Sequence, residues 1–145
     1  MNAPVIERAR PGDIGEIKEL LVASGLPVEG ASAHLEHFFV ARVGDSLAGV
    51  IGLERYGEEG LLRSLAVRAS DRSQGVGNNL YLRLIDEARA LGIRRLILLT
   101  TTAEGYFAAR GFRAVGRNTI SGALHQSAEF TGACPASALC MELVL

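Results

Sequence analysis

The stretch Arg72-Ser73-Gln74-Gly75-Val76-Gly77 carries the clearest chemical signal in this chain. It follows an apolar run, Leu61 to Val67, and opens onto Asn78-Asn79-Leu80-Tyr81-Leu82-Arg83-Leu84-Ile85. That order reads as a strand, a glycine-bearing loop and a helix. The first backbone N–H groups of a helix have no partner within it, and the helix dipole makes them attractive to an anion. Glycine permits close approach of a ligand to the backbone. Such a loop suits a phosphate or pyrophosphate, which would accept N–H bonds from Gln74 through Asn78. Two glycines by themselves are equally compatible with an ordinary strand-to-helix turn.

The strand before the loop holds a second chemical feature. Leu61-Leu62-Arg63-Ser64-Leu65-Ala66-Val67 sets Arg63 and Ser64 in the middle of an apolar run. A central-strand arginine needs a partner or a cleft. Its planar fork matches a carboxylate, phosphonate or arsonate in a bidentate way, so either ligand recognition or an internal ion pair accounts for it. Cys134 and Cys140 have a spacing that matches no zinc or redox motif, and they read as small apolar fillers in or near a strand. No metal site is expected.

These groups need elements to position them. Asp13-Ile14-Gly15-Glu16 has capping-box spacing, and the helix it opens carries Ile14, Ile17, Leu20 and Leu21 on one face before stopping near Gly25. Residues 27–36 read as a loop with a short helix. Three strands follow as a meander, 38–43, 47–55 and 61–67, separated by Gly44-Asp45-Ser46 and by the turn 56–60. The third lacks strict alternation and is expected to be central and buried on both faces. The helix after the glycine loop runs to about Leu91-Gly92. Residues 93–101 read as a strand parallel to the previous one, and 103–110 as a short helix ending in Gly111-Phe112. Strands are expected over 113–118 and 141–145. The weakly patterned stretch 119–135 is long for a plain loop, so it is expected to be partly helical or functional.

The bulk numbers bound the class. The chain has 145 residues, enough for one domain with one core. Hydrophobic residues are 48% and charged residues 21%, a globular composition. A net charge of −1 supplies no basic excess for gripping nucleic acid. Lys18 is the one lysine among 15 basic residues, so arginine dominates, which suits carboxylate and phosphate recognition as well as a solvated surface. Met1-Asn2-Ala3-Pro4 shows no apolar leader core, and no run has the length of a membrane span. A soluble cytoplasmic protein is expected, with no membrane partner.

The spacing Arg-x-x-Gly-x-Gly at 72–77 resembles the coenzyme A loop of the GNAT acetyltransferases. Leu96-Ile97-Leu98-Leu99-Thr100, with the helix ending in Gly111-Phe112, resembles that family's next motif. With Val5 to Asp13 at the start, the resemblance covers nearly the whole chain in order. It implies an α/β GNAT fold over residues 1–145: one mixed sheet of six to seven strands with about four flanking helices. It also implies acetyl-CoA as cosubstrate and transfer of acetyl to the amine of a small acceptor. Arg72, Ser73, Gln74, Gly75, Val76, Gly77 and Asn78 would hold the cofactor's phosphates. Leu65, Ala66 and Val67 would pair with its pantetheine arm, as the strands carrying Leu65 and Leu98 splay apart. Dimers are common in the family, so a homodimer is compatible with it.

The resemblance also ranks proton carriers. The family's usual tyrosine acid maps onto Phe107, which is counted among the cofactor contacts. Tyr106 is its neighbour, about 100° around the helix, and is expected to point elsewhere. Glu54, after Ile51-Gly52-Leu53, is the leading base for deprotonating the acceptor, with a solvated strand-end carboxylate as the plainer account. Glu104 is a weaker choice and reads equally as a helix-start charge. His125 joins Arg63 and Ser64 on the acceptor side, or is a surface histidine. The segment Glu129-Phe130-Thr131-Gly132-Ala133-Cys134-Pro135-Ala136-Ser137-Ala138, with 62–67 and 99–104, resembles the small acetyltransferases of arsenic-resistance operons. Those act on amino-acid-like toxins, so the resemblance suggests an amino-acid acceptor. An acceptor of another kind, or an acyl-CoA sensor without catalysis, stands as the alternative.

Overall fold

Apolar runs separated by glycine turns build the first half of the chain as a meander. The computed structural model describes residues 3–145; Met1 and Asn2, part of the leader reading above, lie outside the described residues. Strands β1 (Val5–Arg8), β2 (Phe38–Val43), β3 (Ser46–Tyr56) and β4 (Glu59–Val67) pair antiparallel in chain order. Gly44 and Gly57 make the tight turns with φ of 61° and 63°, a region closed to most side chains. Helix α1 (Ile14–Ala23) lies between β1 and β2, and α2 (Val76–Ala90) carries the chain from β4 to the parallel strand β5 (Arg95–Thr100). A short helix α3 (Glu104–Ala108), the two-residue β6 (Arg113–Ala114) and β7 (Leu139–Val144) complete one seven-stranded sheet, in the order β1-β2-β3-β4-β5-β7-β6.

The expected mixed sheet is therefore present, flanked among the described residues by three α-helices and several single-turn helices. Helices cover both faces of its centre, which explains why β3 and β4 do not alternate apolar with polar residues. Val76, Leu80, Leu84 and Ala88 of α2 pack with Phe39, Ile51 and Leu53 on one face. Ile17 and Leu21 of α1 pack with Phe38, Val40 and Val50 on the other, with Ile14 and Leu20 partly buried beside them. A smaller cluster joins Leu61 and Ile97 to Ile120 and Leu124 of the 119–138 segment. The Phe38 ring lies flat against Gly52, where an added Cβ would sit 2.3 Å from ring carbon Cζ.

Two local expectations are corrected. Asp13 does not cap α1 with its side chain; it accepts the Arg10 N–H at 2.8 Å and Arg42 Nη2 at 2.5 Å. The ion pair to β2 outcompetes the local cap. The strand expected over 113–118 stops at Ala114, although the Val115 N–H still reaches the Cys140 carbonyl. A single 3-10 turn at Arg117–Thr119 follows, and the Arg117 guanidinium gathers the Pro135 and Ala138 carbonyls at 3.2 and 2.9 Å. The 119–135 stretch is partly helical, with turns at Leu124–Gln126 and Glu129–Ala133.

Candidate active site

Parallel pairing of β4 with β5 lasts three residues, Glu59–Arg95, Gly60–Leu96 and Leu61–Ile97, and then ends. The cause lies in β4. Ser64 has φ of 62°, and the β3–β4 register shifts between Val50 and Gly52. This is a bulge, which bends its strand and re-aims the residues around it. A serine in that conformation costs of order 1–3 kcal/mol, which the surrounding pairing must outweigh. Beyond the bulge the strands diverge around a cavity of about 830 Å³. Its walls are residues 62–67 of β4, residues 98–102 from β5, the loop 24–27 after α1, Gly105 to Phe107 of α3, and Glu129 with residues 133–135.

A second hollow of about 280 Å³ lies at the N-terminus of α2, lined by Arg72, Ser73, Gly75, Val76, Gly77 and Asn78. Gly75 caps the helix with φ of 78°, and no side chain caps its first amides. Val67, Arg72, Gly77 and Tyr106 line both spaces, so they share walls. The Tyr106 hydroxyl is buried without a hydrogen-bond partner and stands 3.8 Å from where a Gly77 Cβ would be. Burial pushes its pKa up, so it is a neutral donor. The Arg110 guanidinium lies 3.5 Å over the ring and holds it there. This corrects the helical-wheel argument: Tyr106 and Phe107 both line the cavity.

Behind the cavity wall lies a polar cluster. Glu54 is fully buried. Its Oε1 accepts from the Tyr56 hydroxyl at 2.5 Å, and its Oε2 from Arg63 Nη1 at 2.7 Å. His34 Nε2 stands 3.6 Å away. Burial pushes the Glu54 pKa up; bonds from Tyr56, Arg63 and Ser127 outweigh it and hold the carboxyl below its ordinary value. The Tyr56 hydroxyl is pushed up to about 12 by burial and by Glu54. Arg63, also buried, donates Nε to Ser64 Oγ at 3.0 Å and Nη2 to the Pro27 carbonyl at 3.3 Å. The ion-pair account of Arg63 is thus realised, although the residue is also among those lining the cavity.

Glu129 is the other carboxylate of this cluster, and it does line the cavity. It is 3% exposed, with Oε2 3.4 Å from Arg63 Nε. Burial pushes its pKa up to about 7; Arg63 and a bond from the Cys134 thiol pull it down, while Glu54 and Glu29 add to the rise. The Cys134 thiol itself is pushed up to about 12 by burial and by Glu129, so it stays protonated.

The sequence-derived residues divide accordingly. Arg63, Ser64, Leu65, Ala66, Val67, Arg72, Gly77 and Phe107 line the large cavity. Ser73, Gly75, Val76 and Asn78 line the hollow at α2, while the exposed Gln74 lines neither. Glu54 sits behind the wall, out of the cavity lining. His125 is exposed and packs on Phe130, away from both spaces. Sequence reasoning set Tyr106 aside and gave no role to Glu129 or to Thr100, Thr101 and Thr102, all of which line the cavity. The one available signal was a glutamate inside a weakly patterned segment that is long for a plain loop. Among the described residues no cluster of ligating side chains could hold a metal ion, and no helix is long and apolar enough to cross a membrane.

A sheet opened between two parallel strands, with a helix N-terminus at the mouth of the gap, defines a coenzyme-A-dependent acyltransferase fold. Residues 11–116 match the Acetyltransferase (GNAT) family, and the chain belongs to it. The amino-acid acetyltransferase of Neisseria meningitidis serogroup A is 31% identical over 79% of this chain. This chain spans 28% of that relative's length. The Mycobacterium tuberculosis amino-acid acetyltransferase is 31% identical over 75% of this chain and 68% of its own length. The N-acetylglutamate synthase of Neisseria gonorrhoeae, complexed with coenzyme A and N-acetyl-glutamate, superposes with a TM-score of 0.84 at 25% identity. That match covers 100% of this chain and 36% of the synthase chain.

Proposed function

We propose that this chain transfers the acetyl group of acetyl-CoA to the α-amino group of a small amino acid bound between β4 and β5. One observation carries the reading: the gap beyond Leu61 and Ile97 shares walls with the uncapped N-terminus of α2. That arrangement suits a long ligand with a phosphate at one end and a reactive group at the other. The orphaned Tyr106 hydroxyl at the junction fits a polar ligand atom there. The amino-acid acetyltransferase relatives support the acceptor class. Within that class, glutamate-like toxins such as phosphinothricin and arsinothricin join the ordinary amino acids.

Acetyl-CoA, when bound, supplies an activated acetyl thioester. The chain's own work is placement and proton movement. The first amides of α2, with Arg72, hold the phosphates. The β4 backbone from Leu65 to Val67 offers edge hydrogen bonds to an extended arm. The divergent strands bring amine and thioester together, which supplies much of the rate. Backbone N–H groups near Leu65 stabilise negative charge on the carbonyl oxygen.

The commitment of Arg63 to Glu54 favours a second reading, in which the acceptor has no acidic side chain. Thiol release from acetyl-CoA across glutamate, aspartate, methionine, phosphinothricin, arsinothricin, spermidine and a lysine peptide separates the two. Turnover with glutamate-like acceptors supports the first, and turnover with methionine or spermidine alone supports the second. Binding of acetyl-CoA with no turnover on any amine refutes both and leaves an acyl-CoA sensor.

A further inference from the structure

We infer that Glu129, and not Glu54, takes the proton from the acceptor's ammonium group. The inference rests on the acetyl-transfer reading above. Two carboxylates approach Arg63, Glu54 at 2.7 Å from Nη1 and Glu129 at 3.4 Å from Nε. Glu54 spends both oxygens inside the protein, one on Tyr56 and the other on Arg63, and Ser127 also helps hold its pKa down. A carboxylate so fully bonded, and so removed from the lining, has neither reach nor basicity for an acceptor in the cavity.

Glu129 has the complementary position. It lines the cavity that the end of β5 also lines, yet almost no water reaches it. Its nearest cation is already engaged, because the Arg63 Nε that stands 3.4 Å away donates to Ser64 Oγ. The remaining groups around it are the neutral thiol of Cys134, the Glu54 carboxylate and Glu29. An ammonium group entering here meets a buried, weakly compensated negative charge. The ordinary pKa of Glu129 is lifted into the neutral range by the same burial, so the proton it accepts is returned readily.

The step balances as follows. The ammonium gives one proton to the Glu129 carboxylate, and the freed nitrogen lone pair forms the C–N bond to the acetyl carbon. The C–S bond breaks, with its electron pair leaving on sulfur. The nitrogen's second proton neutralises the thiolate, and the Glu129 proton passes to water. The products are one acetamide, one thiol and one proton.

Segment 119–138 is held rigidly enough for this role. Arg95 Nη1 donates to the Thr119 carbonyl at 2.7 Å, and the Ser121 N–H donates to Glu59 at 3.1 Å. The Ser127 carbonyl accepts the Phe130 and Thr131 N–H groups at 3.0 Å, which orients the turn bearing Glu129.

The test compares Glu129→Gln, Glu129→Asp and Glu54→Gln with L-glutamate and L-methionine as acceptors. A parallel carboxyl NMR titration uses the free protein. Glu129→Gln should lower kcat by about 10²-fold or more and erase the acid limb of the pH–rate profile near neutrality. Glu129→Asp should keep the limb at a reduced rate. Glu54→Gln should keep the limb but move it to lower pH, because Glu54 raises the Glu129 pKa. The NMR titration should show a carboxyl near neutrality that is absent from Glu129→Gln. A Glu129→Gln enzyme that keeps the limb and stays within about threefold of the parent kcat overturns this inference alone. A parent protein that binds acetyl-CoA but acetylates neither acceptor, nor any other amine of the panel, overturns the acetyl-transfer reading as well.

Discussion

Replacing Glu129 by glutamine should make the protein's stability less sensitive to pH, in a window set by the two ends of that residue's titration. The ordinary carboxyl pKa is 4.5, and burial lifts the folded value to about 7. The folded state therefore holds the proton more tightly than the unfolded chain. Such a group favours folding fully below pH 4.5, and that contribution is lost as pH rises through 7. The loss corresponds to about 3 kcal/mol at pH 8 and roughly 1 kcal/mol at pH 5. The residue is 3% exposed, so solvent screening takes little away. Glutamine has nearly the same shape and no charge at any of these pH values. Urea unfolding of both proteins at pH 5, 6, 7 and 8 gives the comparison directly. The stability of Glu129→Gln relative to the parent should rise by about 2–3 kcal/mol between pH 5 and pH 8. A difference that stays flat across the series would refute the claim that this carboxylate is buried without adequate compensation. A rise accompanied by lost turnover would show a site held at a cost in stability.

Arg63→Met should destabilise the fold by about 3–5 kcal/mol in urea unfolding at pH 7, because it strands the buried Glu54 carboxylate. Adding Glu54→Gln should recover part of that loss; a double variant no better than the single one would argue against the pairing. Gly52→Ala forces a Cβ into the Phe38 ring, and a loss of at least about 1–3 kcal/mol is expected by thermal unfolding. Gly75→Glu sets a carboxylate at the α2 N-terminus in a conformation that costs about 1–2 kcal/mol, with open space around its Cβ. Calorimetry should find acetyl-CoA binding lost while circular dichroism stays folded, and unchanged affinity would remove the loop from the phosphate role.

Local chemistry made much of this molecule legible from its residues. Gly75 and Gly77 between an apolar run and a Leu-rich helix mark a turn into a helix whose first amides have no side-chain cap, because glycine conformation and helix amides act over a few residues. The meander was readable from the same short-range rules, since Gly44 and Gly57 turn strands that are mostly apolar. Competition across long sequence separations was not readable. Asp13 chooses Arg42 over its own helix, and Arg117 ends β6 by collecting carbonyls some 20 residues away.

The sequence by itself determined the meander and the glycine-bearing turn into a helix, since each follows from periodicity, turn residues or helix ends within one element, while the whole sheet and the class of chemistry were implied by its resemblance to the GNAT acetyltransferases. Only the tertiary structure decided which carboxylate faces the cavity. Glu54 and Glu129 both approach Arg63, and they are 75 residues apart in the chain. Which of them is saturated with partners, and which is left desolvated at the wall, depends on how β3, β4 and the 119–138 segment pack together. Desolvation and charge pairing are properties of that packing, so no residue type or spacing could have assigned the roles beforehand.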